Sequence, residues 1–180
     1  FYDMKIENRG PGDIEFTILG SIHGDEPAGK KAIEKILRKD FDYKKAVKFI
    51  IANEKALEQN ERFLDADLNR SFPGDINSGK REEVLASKLL NQIGDSRVLD
   101  IHSTHSFDRP FATTVSLRNS EMDMIKATGA EYALKFGGGT GTWMDYATGV
   151  VVEAGLQHSE QAVKNAVNVI ENFLAYFNVI

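Results

Sequence analysis

The 180-residue chain contains no cysteine. That absence removes a disulfide framework, a thiolate nucleophile and any sulfur-ligated metal site. Histidine is scarce as well. His23, His102, His105 and His158 are the four present, so any imidazole chemistry must draw on them. No apolar run approaches the ~20 residues that span a bilayer, so no membrane association is expected. Positive charge is in deficit, with 22 Lys and Arg against 27 Asp and Glu and a formal net charge of -5. Phosphate-backbone binding needs a basic surface, so nucleic acid is not an expected partner.

What is present is ordinary for a folded protein. Hydrophobic residues make up 42% and charged residues 27%, which excludes intrinsic disorder over most of the chain. A chain of this length buries about 70% of its unfolded surface and forms one domain. It starts at Phe1 rather than methionine and reads as a processed or trimmed chain. A cytoplasmic location is expected, although such a start is compatible with a removed signal peptide.

Strand-like and helix-like runs alternate without a break in composition, which predicts an α/β fold: one domain, a central mixed sheet and helices on its faces. Strands are predicted at Met4 to Glu7 and Ile14 to Leu19, joined as an opening hairpin by the turn formers Asn8 to Asp13. Further strands are predicted at Val47 to Ala52, Val98 to Ile101, Thr113 to Leu117 and Gly149 to Glu153. Helices are predicted at Pro27 to Arg38, at Arg81 to Ile93 with Gly94 as its stop, after Ser120, and after a Ser159 cap. Asn53 to Gly79 reads as a long, polar, irregular connection, the kind that is functional or poorly ordered.

Candidate chemistry sits where apolar runs end, the place where open α/β sheets bind ligands. His23 ends one strand, and Glu26 follows at the first turn of a helix. A neutral imidazole and a carboxylate that close can share a divalent metal, and catalytic zinc keeps three protein ligands plus an open position. By itself this pair is more simply a surface histidine beside a helix-terminal glutamate. His102 fits as third ligand, with Asp100 able to hold its ring. His105 and His158 are the rivals, His105 reading as solvated and His158 as lying near a helix cap. Arg62 and Arg70 offer forked donors for a carboxylate or a developing oxyanion, with Asn69 as a neutral donor beside them. The competing reading is two solvated arginines paired with Asp65 or Asp67. Glu153, at the end of a buried strand, is either a proton carrier or a strand-terminal glutamate reaching solvent. Gly137 to Thr142 lacks the lysine and spacing of a P-loop and reads as a flexible loop at the mouth of the site.

Four segments, in this order, resemble the succinylglutamate desuccinylase and aspartoacylase branch of the zinc carboxypeptidase superfamily. They are Gly20-Ser21-Ile22-His23-Gly24-Asp25-Glu26, Asp67-Leu68-Asn69-Arg70-Ser71-Phe72-Pro73-Gly74, Asp100-Ile101-His102 and Val152-Glu153-Ala154-Gly155. The resemblance implies one zinc ion per chain, held by His23, Glu26 and His102. It implies that Arg62 polarises the scissile carbonyl and that Asn69 and Arg70 grip the substrate's free carboxylate. Glu153 would be general base and then general acid. The implied reaction is hydrolysis of an amide next to a free carboxylate, releasing an amino acid from a small N-acyl amino acid. Hydrolysis of short peptides, or zinc or small-acid binding without catalysis, are the alternatives. Enzymes of this branch commonly carry a further C-terminal β-rich domain over the site, and the sequence to Ile180 is expected to form the catalytic domain alone. Tyr146, Arg109 and Arg118 are candidate counterparts of a further tyrosine and arginine of the family.

Overall fold

The computed structural model describes residues 4–180. Seven strands form one sheet: β1 (Lys5–Arg9), β2 (Phe16–Gly20), β3 (Val47–Ile51), β4 (Arg97–Thr104), β5 (Phe111–Thr114), β6 (Tyr132–Lys135) and β7 (Gly149–Leu156). Their spatial order is β1-β3-β2-β4-β7-β5-β6. The central strands β3, β2, β4 and β7 run parallel. β1 is antiparallel on one flank, and β5 is antiparallel to β7 on the other, with β6 parallel to β5 beyond it. The predicted mixed sheet with helical faces is therefore what the chain forms.

Five helices cover the sheet: α1 (Ala28–Leu37), α2 (Glu54–Gln59), α3 (Arg81–Ile93), α4 (Asn119–Thr128) and α5 (Glu160–Tyr176). The period of two along each strand sorts side chains between two cores. Phe16, Ile18, Phe49, Val150 and Val152 pack with Ile33 and Ile36 of α1, Met124 of α4 and Ile170 and Phe173 of α5. Leu19, Ile50, Val98 and Val151 face the other way, onto Leu85, Leu89 and Ile93 of α3 and onto Trp143. Strands covered on both faces must be apolar throughout, which is why the β2, β3 and β7 runs were readable. Among the described residues no helix is long and apolar enough to cross a membrane.

Several boundaries differ from expectation. β1 does not form a hairpin with β2 but pairs with β3, Lys5 opposite Ile51. β2 is buried along its whole length and takes two parallel neighbours, so the half-exposed β1 goes to the edge. β4 runs on through His102 to Thr104 instead of ending before the histidine. β5 starts two residues and ends three residues earlier than predicted, and β6, exposed along its length, was not predicted, its apolar run Tyr132-Ala133-Leu134 being only three residues long. The Asn53–Gly79 connection contains α2 and a 3-10 turn at Leu68–Arg70. Ser120 is not a cap: it lies inside the first turn of α4, and its hydroxyl donates to Glu121 at 2.6 Å. Ser159 does cap α5, accepting from the Ala162 amide at 3.0 Å, a contact worth about 1 kcal/mol.

Candidate active site

The site is built at the carboxyl ends of β2, β4 and β7. After β2 the chain turns sharply at Ser21, whose φ is +56°. α1 then enters close against the strand end. A Cβ added to Gly29 would lie 2.9 Å from the Gly20 Cα, so two glycines are needed for this approach. The intervening turn, closed by the Glu26 amide on the His23 carbonyl at 3.2 Å, folds the two side chains together. His23 Nδ1 lies 2.7 Å from Glu26 Oε1. β4 supplies the next pair. Asp100 and His102 are two residues apart on a strand and so share a face. His102 Nδ1 lies 3.1 Å from Glu26 Oε2, and its Nε2 lies 3.0 Å from Asp100 Oδ2. The Ser103 amide also donates to Glu26 Oε2, at 2.9 Å.

Each histidine thus turns Nδ1 toward Glu26 and has Nε2 held by a second carboxylate. For His23 that partner is Asp67, at 3.1 Å. Asp100 is in turn fixed by Trp143, whose indole Nε1 donates to Oδ2 at 2.8 Å. A Cβ on Gly149 would lie 2.6 Å from the Trp143 ring, so that glycine makes the room for the indole.

The chemistry of the donor set fits a small divalent cation. One donor atom from each of His23, Glu26 and His102 falls within 4.8 Å of the others, and donors around a tetrahedral zinc sit about 3.4 Å apart. All three residues are buried. The local field favours positive charge. Burial pushes the His102 pKa down, but Asp100 and Glu26 on its two nitrogens outweigh this and hold it well above the ordinary histidine value. Burial likewise raises Glu26, yet His102 and His23 hold its carboxyl far below the usual range. Asp67 is lowered to about 2, burial being outweighed by His23, Arg62 and the Asn69 amide.

Glu153 sits directly across from His102 in the β4–β7 ladder. Its Oε2 is buried without a hydrogen-bond partner. Burial raises its pKa; His102 opposes this, and the negative charges of Glu26 and Asp100 add to it. Arg62 reaches toward the cluster at longer range, with Nη1 3.4 Å from Glu26 Oε1 and Nη2 3.5 Å from Asp67 Oδ2. The predicted Arg62–Asp67 pairing therefore exists, but beside the histidines rather than in solvent. The Arg70 guanidinium is exposed and donates to the Asn69 carbonyl at 2.7 Å. Asn69 Oδ1 is buried and unpartnered. His23, Glu26, Arg62, Asn69, Arg70, His102 and Glu153 all line one cleft of about 680 Å³.

The rival histidines fall elsewhere. His105 is exposed on the cleft rim, and His158 lies outside the cleft in the turn before α5. Arg109 is paired with Glu131 at 3.1 Å and Arg118 with Glu121 at 2.9 Å. Neither they nor Tyr146 line the cleft. The Gly137–Thr142 loop does stand at its mouth and is held in place. Asp145 accepts from the amides of Gly139, Thr140 and Gly141 at 2.7, 3.0 and 3.0 Å.

Trp143 and Glu82 were not singled out in the sequence, and Asp67 was read there only as an arginine partner and not as a partner of His23. Asp67 and Trp143 hold the histidine shell. Glu82, fully buried at the start of α3, accepts from the amides of Leu64, Asp65 and Ala66 at 3.0, 2.9 and 3.2 Å. It thereby pins the loop that carries Arg62, Asp67, Asn69 and Arg70. A buried glutamate beside a long polar loop was the available signal, but an acidic first turn ordinarily serves its own helix.

A His-Glu-His cluster able to hold a metal stands with a partly unpartnered carboxylate and two arginines near the strand ends of a mixed α/β sheet. Residues 14–176 match the succinylglutamate desuccinylase/aspartoacylase catalytic domain, and the chain belongs to that family. A succinylglutamate desuccinylase of Idiomarina loihiensis is 27% identical over 97 residues, covering 50% of this chain and 28% of that protein. The crystal structure of a succinylglutamate desuccinylase/aspartoacylase from Rhodobacter sphaeroides superposes with a TM-score of 0.80 at 23% identity, over 97% of this chain and 59% of that one. A tripeptide-bound cell shape determinant, Csd4, from Helicobacter pylori gives 0.78 at 18% identity, over 98% and 56% of the two chains. The matched region is thus well under two thirds of these relatives.

Proposed function

We propose that the chain is the catalytic unit of a zinc-dependent deacylase, one that hydrolyses an amide next to a free carboxylate and releases an amino acid from an N-acyl amino acid. The observation that carries this reading is the convergence of His23, Glu26 and His102 beside an unpartnered Glu153 carboxylate. His23, Glu26 and His102 would hold one zinc ion. Bound there, zinc supplies a Lewis acid for the scissile carbonyl and makes a water molecule more acidic.

The remaining steps belong to the chain's own side chains. Glu153 takes the proton of the attacking water and then delivers it to the leaving amine. Burial, which raises its pKa, suits a group that must both accept and return a proton. Arg62 sets N–H donors where charge develops on the carbonyl oxygen. Asn69 and Arg70 bind the substrate carboxylate, and so select amides that carry one. Asp67 and Asp100 keep both imidazoles turned with Nδ1 toward Glu26.

Two measurements test this. Elemental analysis of protein never exposed to chelator should find close to one zinc per chain. Glu153→Gln should retain that zinc and lose hydrolysis of N-acyl amino acids. Zinc-free protein, or full activity in the variant, would refute it. Short-peptide hydrolysis is the second reading. The wide cleft and the tripeptide in the Helicobacter pylori neighbour favour it, and N-acetyl amino acids assayed beside blocked dipeptides separate the two.

A further inference from the structure

We propose that β6 is a docking edge for a second copy of this chain: two β6 strands pair antiparallel about a twofold axis at Ala133 and join the two sheets into one. β6 ends the sheet, and among the described residues no strand pairs with its outer side. All of its residues are exposed. The free N–H and C=O groups of such an edge recruit other chains, so edge strands are ordinarily blunted by proline, a bulge or charge along their length. Glu131-Tyr132-Ala133-Leu134-Lys135-Phe136 has no proline, and its centre is apolar. Tyr132, Leu134 and Phe136 are 43%, 50% and 51% exposed. Large apolar side chains set in a row in water mark an interaction surface.

Backbone alternation decides which groups face outward. The Phe136 amide donates to the Thr114 carbonyl of β5 at 2.9 Å. Alternate residues of a strand turn both polar groups to the same side. Tyr132, Leu134 and Phe136 therefore bond inward to β5, and Glu131, Ala133 and Lys135 present theirs to the open side. An antiparallel partner has to exchange bonds with those three. Centring the pair on Ala133 engages all of them: Ala133 meets Ala133 of the second copy, and Glu131 meets Lys135 of the second copy at both ends.

The same register matches the side chains, because opposite residues share a face. On one face unlike charges meet, Glu131 against Lys135. On the other, Tyr132 meets Leu134 in a non-hydrogen-bonded pair, where side chains lie closest. Glu131 already pairs with Arg109 at 3.1 Å, so in the dimer it lies between two cations. Moving the centre by one residue sets Glu131 or Lys135 against Ala133 and loses the charge match. The other edge of the sheet supplies the contrast. β1 paired with itself about Glu7 would set Lys5 against Arg9 and Glu7 against Glu7, like charges that disfavour the pair. The axis is normal to the sheet, so both clefts open on one side. Leu134 lines the cleft, and Tyr132 of the second copy stands across from it, extending the rim.

One short strand pair is a small interface, so a dissociation constant in the micromolar range is expected. Sedimentation velocity of the full chain from about 1 μM to about 1 mM should pass from monomer to dimer. Lys135→Glu sets two carboxylates against each other, and Glu131→Lys two ammonium groups. Each should weaken association by about tenfold. Mixed in equal amounts, the two variants again oppose unlike charges at both ends and should associate as tightly as the parent. Both side chains are exposed, and circular dichroism checks that the fold is kept. Ala133→Pro removes the outward N–H at the centre, a position where an edge strand tolerates proline, and should hold the chain monomeric. A parent that stays monomeric throughout overturns the proposal. So does a dimer that survives Ala133→Pro, or a mixture no tighter than the single variants.

Discussion

Replacing Glu82 by glutamine removes one charge and swaps one acceptor for a donor, with almost no change in shape. The consequence can be worked from the contacts. Oε2 accepts from the Asp65 and Ala66 amides, and Oε1 from the Leu64 amide, Asn53 Nδ2 and Arg81 Nη1. With the glutamine oxygen at the Oε1 position, the new NH2 group confronts two backbone N–H groups. The reverse orientation confronts three donors, one of them cationic. The first is less costly, and it orphans two buried donors at about 1–3 kcal/mol each. A loss of about 3 kcal/mol is expected, a large part of the 5–15 kcal/mol typical of a domain. In urea this moves the unfolding midpoint down by about 1 M or more. Acid supplies a second arm. The loop amides and Asn53 lower the Glu82 pKa despite its burial. A depressed carboxylate adds stability that is present above its unfolded pKa of about 4.3 and is lost as pH falls through the folded value. The gap between parent and variant should therefore narrow on acidification. A midpoint shift below about 0.3 M at neutral pH would show that something other than Glu82 holds the 62–70 loop, and the reasoning would fail.

Further outcomes follow from the same contacts. Asp100→Asn keeps an acceptor for Trp143 but weakens control of the His102 ring, so zinc affinity measured by chelator competition should fall by about 10–100-fold. Gly149→Ala would put a Cβ 2.3 Å from the Val98 carbonyl oxygen and 2.6 Å from the indole. Thermal melts should show a loss of at least about 2 kcal/mol, and an unchanged melt would mean that the indole shifts freely. On the proposed mechanism Glu153 acts deprotonated, and its pKa is raised by burial, so kcat/KM should decline with acid at a pH above the ordinary glutamate value of about 4.3. A limb at or below that value would assign the proton transfer to another group.

The central strands were legible because burial on both faces demands continuous apolar runs, and this located the carboxyl-terminal halves of β4 and β7 that carry His102 and Glu153, although the strands run on to Thr104 and Leu156. The candidate ligand set followed from chemistry at those ends. What sequence could not convey depends on return of the chain. Asp67 reaches His23 only because the loop folds back onto the turn after β2, where the Gly24 amide donates to the Arg62 carbonyl at 3.1 Å. Trp143 lies beneath Asp100 only because Gly149 is small. β1 prefers the far edge of β3 to its neighbour in sequence, since pairing rests on burial across the whole sheet. β6 carried only a three-residue apolar run, since it is exposed along its length and packs no residue into the core.

The Asp145 carboxylate that gathers three consecutive amides of the glycine-rich loop has a kinetic and thermodynamic side. Those amides are already engaged, so they are not free to cradle an anion. A glycine-rich segment would otherwise lose much backbone freedom when it closes over a guest. Here that ordering is completed during folding. The Gly141 carbonyl also accepts from the Phe72 amide at 3.0 Å, coupling this rim of the cleft to the turn that carries Arg70. Substrate therefore meets a mouth that is shaped in advance, and its association need not wait on loop closure.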